Sequence, residues 1–202
     1  ELSVISVQGE SLAPLALLVN YGCHPVNLHP YRVEYIISAD WPGALATELR
    51  GIYGQACTPL VLNGACGDVN PWDPWDPDFV RDHKRMGSIL AGTAELVIDE
   101  ITYTDDVSLD WRTRTIDIPW RSAPGEELDA ALAFMAEHPE PIWADESHTA
   151  VDDTWMAAAW RAETHYRAAT ETTYAYEIQV LRLGDVAIVC VPGEPFAELG
   201  LA

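Results

Sequence analysis

The continuous apolar run Leu15-Ala16-Leu17-Leu18-Val19, inside residues 12–23, has the length of a strand and predicts one buried on both faces in a helix-covered sheet. It delivers Tyr21-Gly22-Cys23-His24-Pro25 to its C-terminal end. Asp40-Trp41-Pro42-Gly43 then opens a helix whose apolar positions Trp41, Leu45, Leu49 and Ile52 recur at three-four spacing. Asp40 reads as its N-cap and Gly54 as its stop. A short apolar strand at 59–62 runs into Asn63-Gly64-Ala65-Cys66-Gly67-Asp68-Val69-Asn70-Pro71, a small-residue turn that no regular element can continue. Strand, helix and strand make a βαβ unit.

A loop of Pro, Trp and Asp at 72–78 leads into a long helix over 79–101, with an apolar stripe at Phe79, Met86, Leu90, Thr93, Val97 and Ile101. Residues 107–120 alternate around Leu109, Trp111, Ile116 and Ile118, as in a half-exposed antiparallel strand. Two further helices are expected at 124–138 and 151–169, and the stretch 121–170 reads as a helical insertion. Runs at 174–183 and 186–191 flank Gly184-Asp185, a hairpin signal, and the second run ends at Pro192-Gly193-Glu194-Pro195. The expected fold is α/β: a mixed sheet flanked by helices, in one domain over 1–202, with functional groups at the C-terminal ends of strands.

Charge narrows the partners. The 202 residues hold 32 acidic against 11 basic side chains, a formal net charge of −21. Such a chain repels nucleic acid and anionic membranes. No apolar run reaches the ~18–20 residues that span a bilayer, so a soluble chain without a transmembrane segment is expected. Cys23, Cys57, Cys66 and Cys190 are too few and too scattered for a disulfide scaffold and read as free thiols. Neither end carries a recognisable start or signal, so the chain is expected to be a segment of a longer protein, and its compartment is not legible.

His24 follows the first strand, Asp68 and Asn70 the second, and Glu194 the last. Ligands of α/β proteins sit beyond the carboxyl ends of strands. Each residue also has a plain structural reading: a hydrogen-bonded histidine, a turn-forming Asp, a carboxylate at a helix start. Trp72 and Trp75 either wall a binding surface or pack within their loop. His83, His138, His148 and His165 read as structural or solvent-facing, and His29 as a loop residue.

Four segments, in order, resemble those of the neutral/alkaline non-lysosomal ceramidase family: Tyr21-Gly22-Cys23-His24-Pro25, Ile37-Ser38-Ala39-Asp40-Trp41-Pro42-Gly43, residues 63–71, and Gln179-Val180-Leu181-Arg182-Leu183-Gly184 leading to Val191-Pro192-Gly193-Glu194. Those enzymes are zinc amidases that cleave the N-acyl bond of a sphingolipid, with the metal held by two histidines, a glutamate and a tyrosine. The resemblance implies that His24 is the second histidine and Glu194 the glutamate. The first histidine falls upstream of this segment and the tyrosine downstream. Where the family carries a serine after Gly-Asp-Val with an assigned catalytic role, this chain has Asn70, which cannot be a nucleophile but can donate to an oxyanion.

The resulting expectation is a zinc-dependent hydrolase of an amide or related acyl bond, on a small-molecule or lipid N-acyl substrate. His24 and Glu194 would hold Zn2+, Asp68 would position water, and Asn70 would contact the substrate carbonyl. Two rivals remain open from the residues alone. One is a two-metal phosphoesterase built on His24, Asp40, Asp68 and Asn70. The other is a non-catalytic lipid- or carbohydrate-binding relative.

Overall fold

In the computed structural model, which describes residues 1–28, 36–76, 78–121 and 125–201, the chain is a mixed α/β protein of two compact units. Unit 1 comprises Glu1–Asp106 with Gly193–Ala202, and unit 2 comprises Val107–Pro192.

Unit 1 is built on a three-stranded sheet in the order β1 (Leu2–Gln8), β2 (Pro14–Tyr21), β3 (Thr58–Asn63). β1 pairs antiparallel with β2, and β2 pairs parallel with β3, with Leu17 opposite Pro59 and Tyr21 opposite Asn63. The parallel pair is joined through α1 (Asp40–Tyr53), which is the βαβ unit expected from the apolar pattern. β1 had no counterpart in that pattern. Its outer position against β2 leaves it only half-buried, so its apolar residues are not confined to one parity.

β2 is buried on one face rather than two. Leu17 and Val19 are fully enclosed, whereas Leu15 is exposed and the even-numbered residues are half-buried. The enclosed face meets Trp41, Leu45 and Leu49 of α1 and Leu90, Ala91, Ala94 and Ile98 of α2 (His83–Asp99). α1 keeps the expected face, except that Ile52 is exposed, and it ends where Gly54 takes φ 93°.

α2 departs from the expected stripe. It starts four residues later, because the Asp82 side chain caps it by accepting from the amides of Lys84 (2.9 Å) and Arg85 (3.0 Å). Its buried face is Gly87, Leu90, Ala91, Ala94 and Ile98, while Thr93 is exposed. Small residues line this face because α1 comes so close: a Cβ on Gly87 would lie 2.5 Å from the Ala44 Cβ and 2.6 Å from the Leu45 amide nitrogen.

Unit 2 holds a second sheet, antiparallel throughout, in the order β4 (Leu109–Pro119), β5 (Thr173–Leu183), β6 (Val186–Cys190). The hairpin between β5 and β6 closes with Leu183 opposite Val186 and Gly184 at φ 59°. α3 (Glu126–Glu137) and α4 (Asp153–Thr170) pair with each other, burying Leu128, Ala131 and Ala158. The start expected for α3 at 124 lies outside the described residues. The single mixed sheet therefore resolves into two: only β1–β3 are mixed, and Glu194 follows a strand of the other sheet. After β6 the chain rejoins unit 1 and ends in α5 (Ala197–Leu201).

Among the described residues no helix is long and apolar enough to cross a membrane. The four cysteines are free, three of them buried and Cys190 exposed.

Candidate functional site

The C-terminal ends of the parallel pair β2 and β3 meet through glycine. The Gly64 amide donates to the Tyr21 carbonyl at 3.2 Å, and a Cβ on Gly22 would sit 3.0 Å from the Ala65 carbonyl oxygen, so the two chains leave the sheet side by side. This places the stretch after Tyr21, which carries His24, against the turn 63–71.

His24 is tied there at two atoms. Its amide donates to the Val69 carbonyl at 2.9 Å, and its Nε2 lies 3.3 Å from the Gly67 carbonyl oxygen. A carbonyl only accepts, so Nε2 carries the hydrogen in this contact.

Gly67 also holds the segment that bears Glu194. The Gly67 amide donates to the Pro195 carbonyl at 2.9 Å, and any Cβ at 67 would overlap the Glu194 carbonyl oxygen. Asp68 adds a second tie, its Oδ1 accepting from the Ala197 amide at 2.7 Å. One turn thus gathers His24, Asp68 and the Glu194 segment, which are far apart in sequence. Asn70 sits on the same turn, exposed.

The local field is negative. Burial pushes the Cys66 thiol up and the charges of Glu194 and Asp68 push it further, against the hydrogen bond from Asn63. Cys23 rises to about 11, through burial first, then Cys66 and Asp40. Both thiols are therefore neutral at pH 7, and neither is a free thiolate nucleophile.

Imidazole nitrogen and carboxylate oxygen are zinc-ligand types, and His24 with Glu194 fit part of a zinc donor set. Among the described residues no group of three or more His, Cys, Asp or Glu side chains converges as a metal site requires. His29 lies outside the described residues.

Asp40 is not the N-cap expected of it. It is the first residue of α1, at φ 49°, buried, and its carboxylate accepts from Asn27 Nδ2 (2.8 Å), the Leu28 amide (3.1 Å) and the Trp41 amide (2.7 Å). An N-cap accepts from amides two or three residues ahead. Asp40 instead spends its oxygens on the loop after His24 and on the Trp41 amide.

Beside the turn lies a groove of about 1030 Å³. Leu28, Ile36, Trp72, Phe79 and Val80 give it apolar surface, while Asn27, Asp73, Asp76, Arg81, Asp82 and Lys84 make the rest of the lining polar and charged. The Arg81 guanidinium stacks 3.8 Å over the Trp72 ring, while Trp75 projects into solvent. Sequence reasoning did not single out Gly67, Asn27 or Trp41 for the site; only the small-residue run 63–67 hinted at close backbone approach.

The fold is mixed α/β and recurs in solved ceramidase structures. The chain is similar in structure to the neutral ceramidase from Pseudomonas aeruginosa, with a TM-score of 0.62 at 15% identity, over 99% of this chain and 35% of that one. A second solved chain, a ceramidase complexed with C2, matches with a TM-score of 0.61 at 14% identity, over 99% of this chain and 37% of that one. This chain thus spans little more than a third of either. No protein-family model and no curated protein sequence matches it.

Proposed function

We propose that this chain carries part of the catalytic domain of a zinc-dependent hydrolase that cleaves an amide or related acyl bond. The observation that carries the reading is the double engagement of Gly67, with the His24 ring on its carbonyl and the Glu194 segment on its amide. The fold shared with two ceramidases supports it.

In this reading His24 and Glu194 are two of the zinc ligands. A zinc ion held there would supply Lewis acidity toward the acyl bond. Asp68, with one oxygen held by the Ala197 amide, orients the attacking water through the other. Asn70 donates from its side-chain amide to the developing oxyanion. The adjacent groove takes the apolar part of an N-acyl substrate, and Trp72 forms one of its walls.

The test uses the full-length protein with Asn70→Ala and Asn70→Ser on a panel of N-acyl substrates, with and without chelator. Wild type is expected to hydrolyse at least one of them, and Asn70→Ala to lose ~10²-fold in kcat. His24→Ala and Glu194→Ala should each lower the zinc bound per chain. Activity indifferent to chelator, or an unchanged kcat in Asn70→Ala, overturns the mechanism.

A further inference from the structure

We infer that Asp40 is a positioning residue whose task, shared with Trp41, is to hold His24 in place. Two observations set it apart from an ordinary helix start. Asp40 is 5% exposed and its side-chain partner Asn27 6%, so the pair is enclosed. The backbone at Asp40 sits at φ 49°, a region that non-glycine residues enter at a cost and leave unless their surroundings hold them.

The hydrogen bonds show where that cost is spent. Asn27 Nδ2 and the Leu28 amide both donate to the Asp40 carboxylate, so one end of the loop following His24 is fastened to the start of α1. The other end is fastened by the neighbouring residue: Trp41, fully buried and edge-on to Tyr21, donates from its indole Nε1 to the His24 carbonyl at 3.3 Å. The Asp40 amide is itself held by Ser38 Oγ at 3.0 Å. The backbone of His24 is therefore gripped through its carbonyl by α1 and through its amide by the turn at Val69. With its backbone held on both sides, His24 has its ring against the turn, Nε2 lying 3.3 Å from the Gly67 carbonyl oxygen.

The inference deepens the proposed zinc reading, in that it takes His24 as a site residue, but its readout needs no metal. The ¹⁵N-labelled chain is studied by long-range ¹H–¹⁵N correlation of its histidine rings at about pH 8, where an ordinary histidine is neutral. His24 is assigned by the signal that vanishes in His24→Gln. Wild type is expected to show His24 as a single tautomer protonated at Nε2. Asp40→Asn replaces one acceptor oxygen by a donor and must break one of the loop contacts. Trp41→Phe keeps an aromatic ring and removes only the indole N–H. Both should lose the single-tautomer pattern at His24, while His83, His138, His148 and His165 keep theirs.

A His24 ring that stays locked as the Nε2–H tautomer in both variants overturns the inference. Should Asp40→Asn fail to fold, Asn27→Ala, which removes the side-chain donor to the Asp40 carboxylate, takes its place. Adding Zn2+ to the full-length wild-type protein separates the two claims: if the His24 signals stay unmoved there while the variants still unlock the ring, the zinc reading falls and the positioning role stands.

Discussion

At Gly67 the absence of a side chain is a packing requirement, since the Glu194 carbonyl oxygen fills the place a Cβ would take and Phe196 Cδ1 lies 2.8 Å from it. Gly67→Ala should push residues 194–196 off the turn. The expected cost is about 1–3 kcal/mol, as for other overpacked sites, read as a lower urea midpoint. Gly51, whose added Cβ would meet nothing within 4 Å, is the control and should show no such loss. Cys23 provides a pH signature of the same buried corner. Its thiol rises from 9.0 to about 11, so the folded state favours the protonated form more than the unfolded state does. The stabilisation is fully present below pH 9 and is lost as pH climbs from 9 towards 11. The urea midpoint of wild type should fall across that window, and Cys23→Ala should flatten the fall. Equal slopes in the two proteins would show that Cys23 does not contribute.

Helix contacts divide the elements that could be read from sequence from those that could not. β2 and α1 declare themselves because large apolar residues mark their buried faces, while β3 and the β5–β6 hairpin are legible as short apolar runs; glycines mark the end of α1 at Gly54 and the hairpin turn at Gly184. α2 hides part of its face, because the close approach of α1 selects Gly87, Ala91 and Ala94, which periodicity analysis ignores; Met86 and Leu90 of the expected stripe do meet the core, whereas Thr93 is exposed. Short motifs singled out His24, Asp68 and Glu194, and the turn at 63–71 brings His24 and the segment of Glu194 against Gly67 and Asp68. The turn glycine that joins them was not legible, because its role depends on a carbonyl from a segment far along the chain. The same helix supports a paired prediction. Gly87→Ala should destabilise by about 1–3 kcal/mol by forcing α1 and α2 apart. Gly92→Ala, on the exposed side with nothing within 4 Å of an added Cβ, should stabilise by about 0.5–1 kcal/mol through backbone entropy. Thermal melts of the two variants should move in opposite directions, and a shared direction would contradict the packing described for α2.

Charge acts on the molecule as a whole. The three ion pairs between described residues are Arg112 with Asp110 (2.7 Å), Arg161 with Glu127 (3.2 Å) and Arg167 with Glu163 (2.7 Å), all on solvent-exposed side chains of unit 2. Exposed pairs of this kind are each worth about 0–1 kcal/mol, which salt removes. Against them stands the mutual repulsion of a chain with net charge −21, and salt weakens that as well. The screening length falls from ~30 Å at 0.01 M to ~3 Å at 1 M, so repulsion across the whole surface fades early while contacts at ion-pair distance are affected last. Repulsion should therefore dominate the salt response. The melting temperature at pH 7 is expected to rise by several degrees as sodium chloride increases from low ionic strength to ~0.5 M, at roughly 2–4 °C per kcal/mol for a chain of this size. Potassium chloride should give the same curve, since the effect is screening rather than the binding of a particular cation. A melting temperature that falls with added chloride would show that the ion pairs outweigh the repulsion, and a response confined to one cation would point to a specific site.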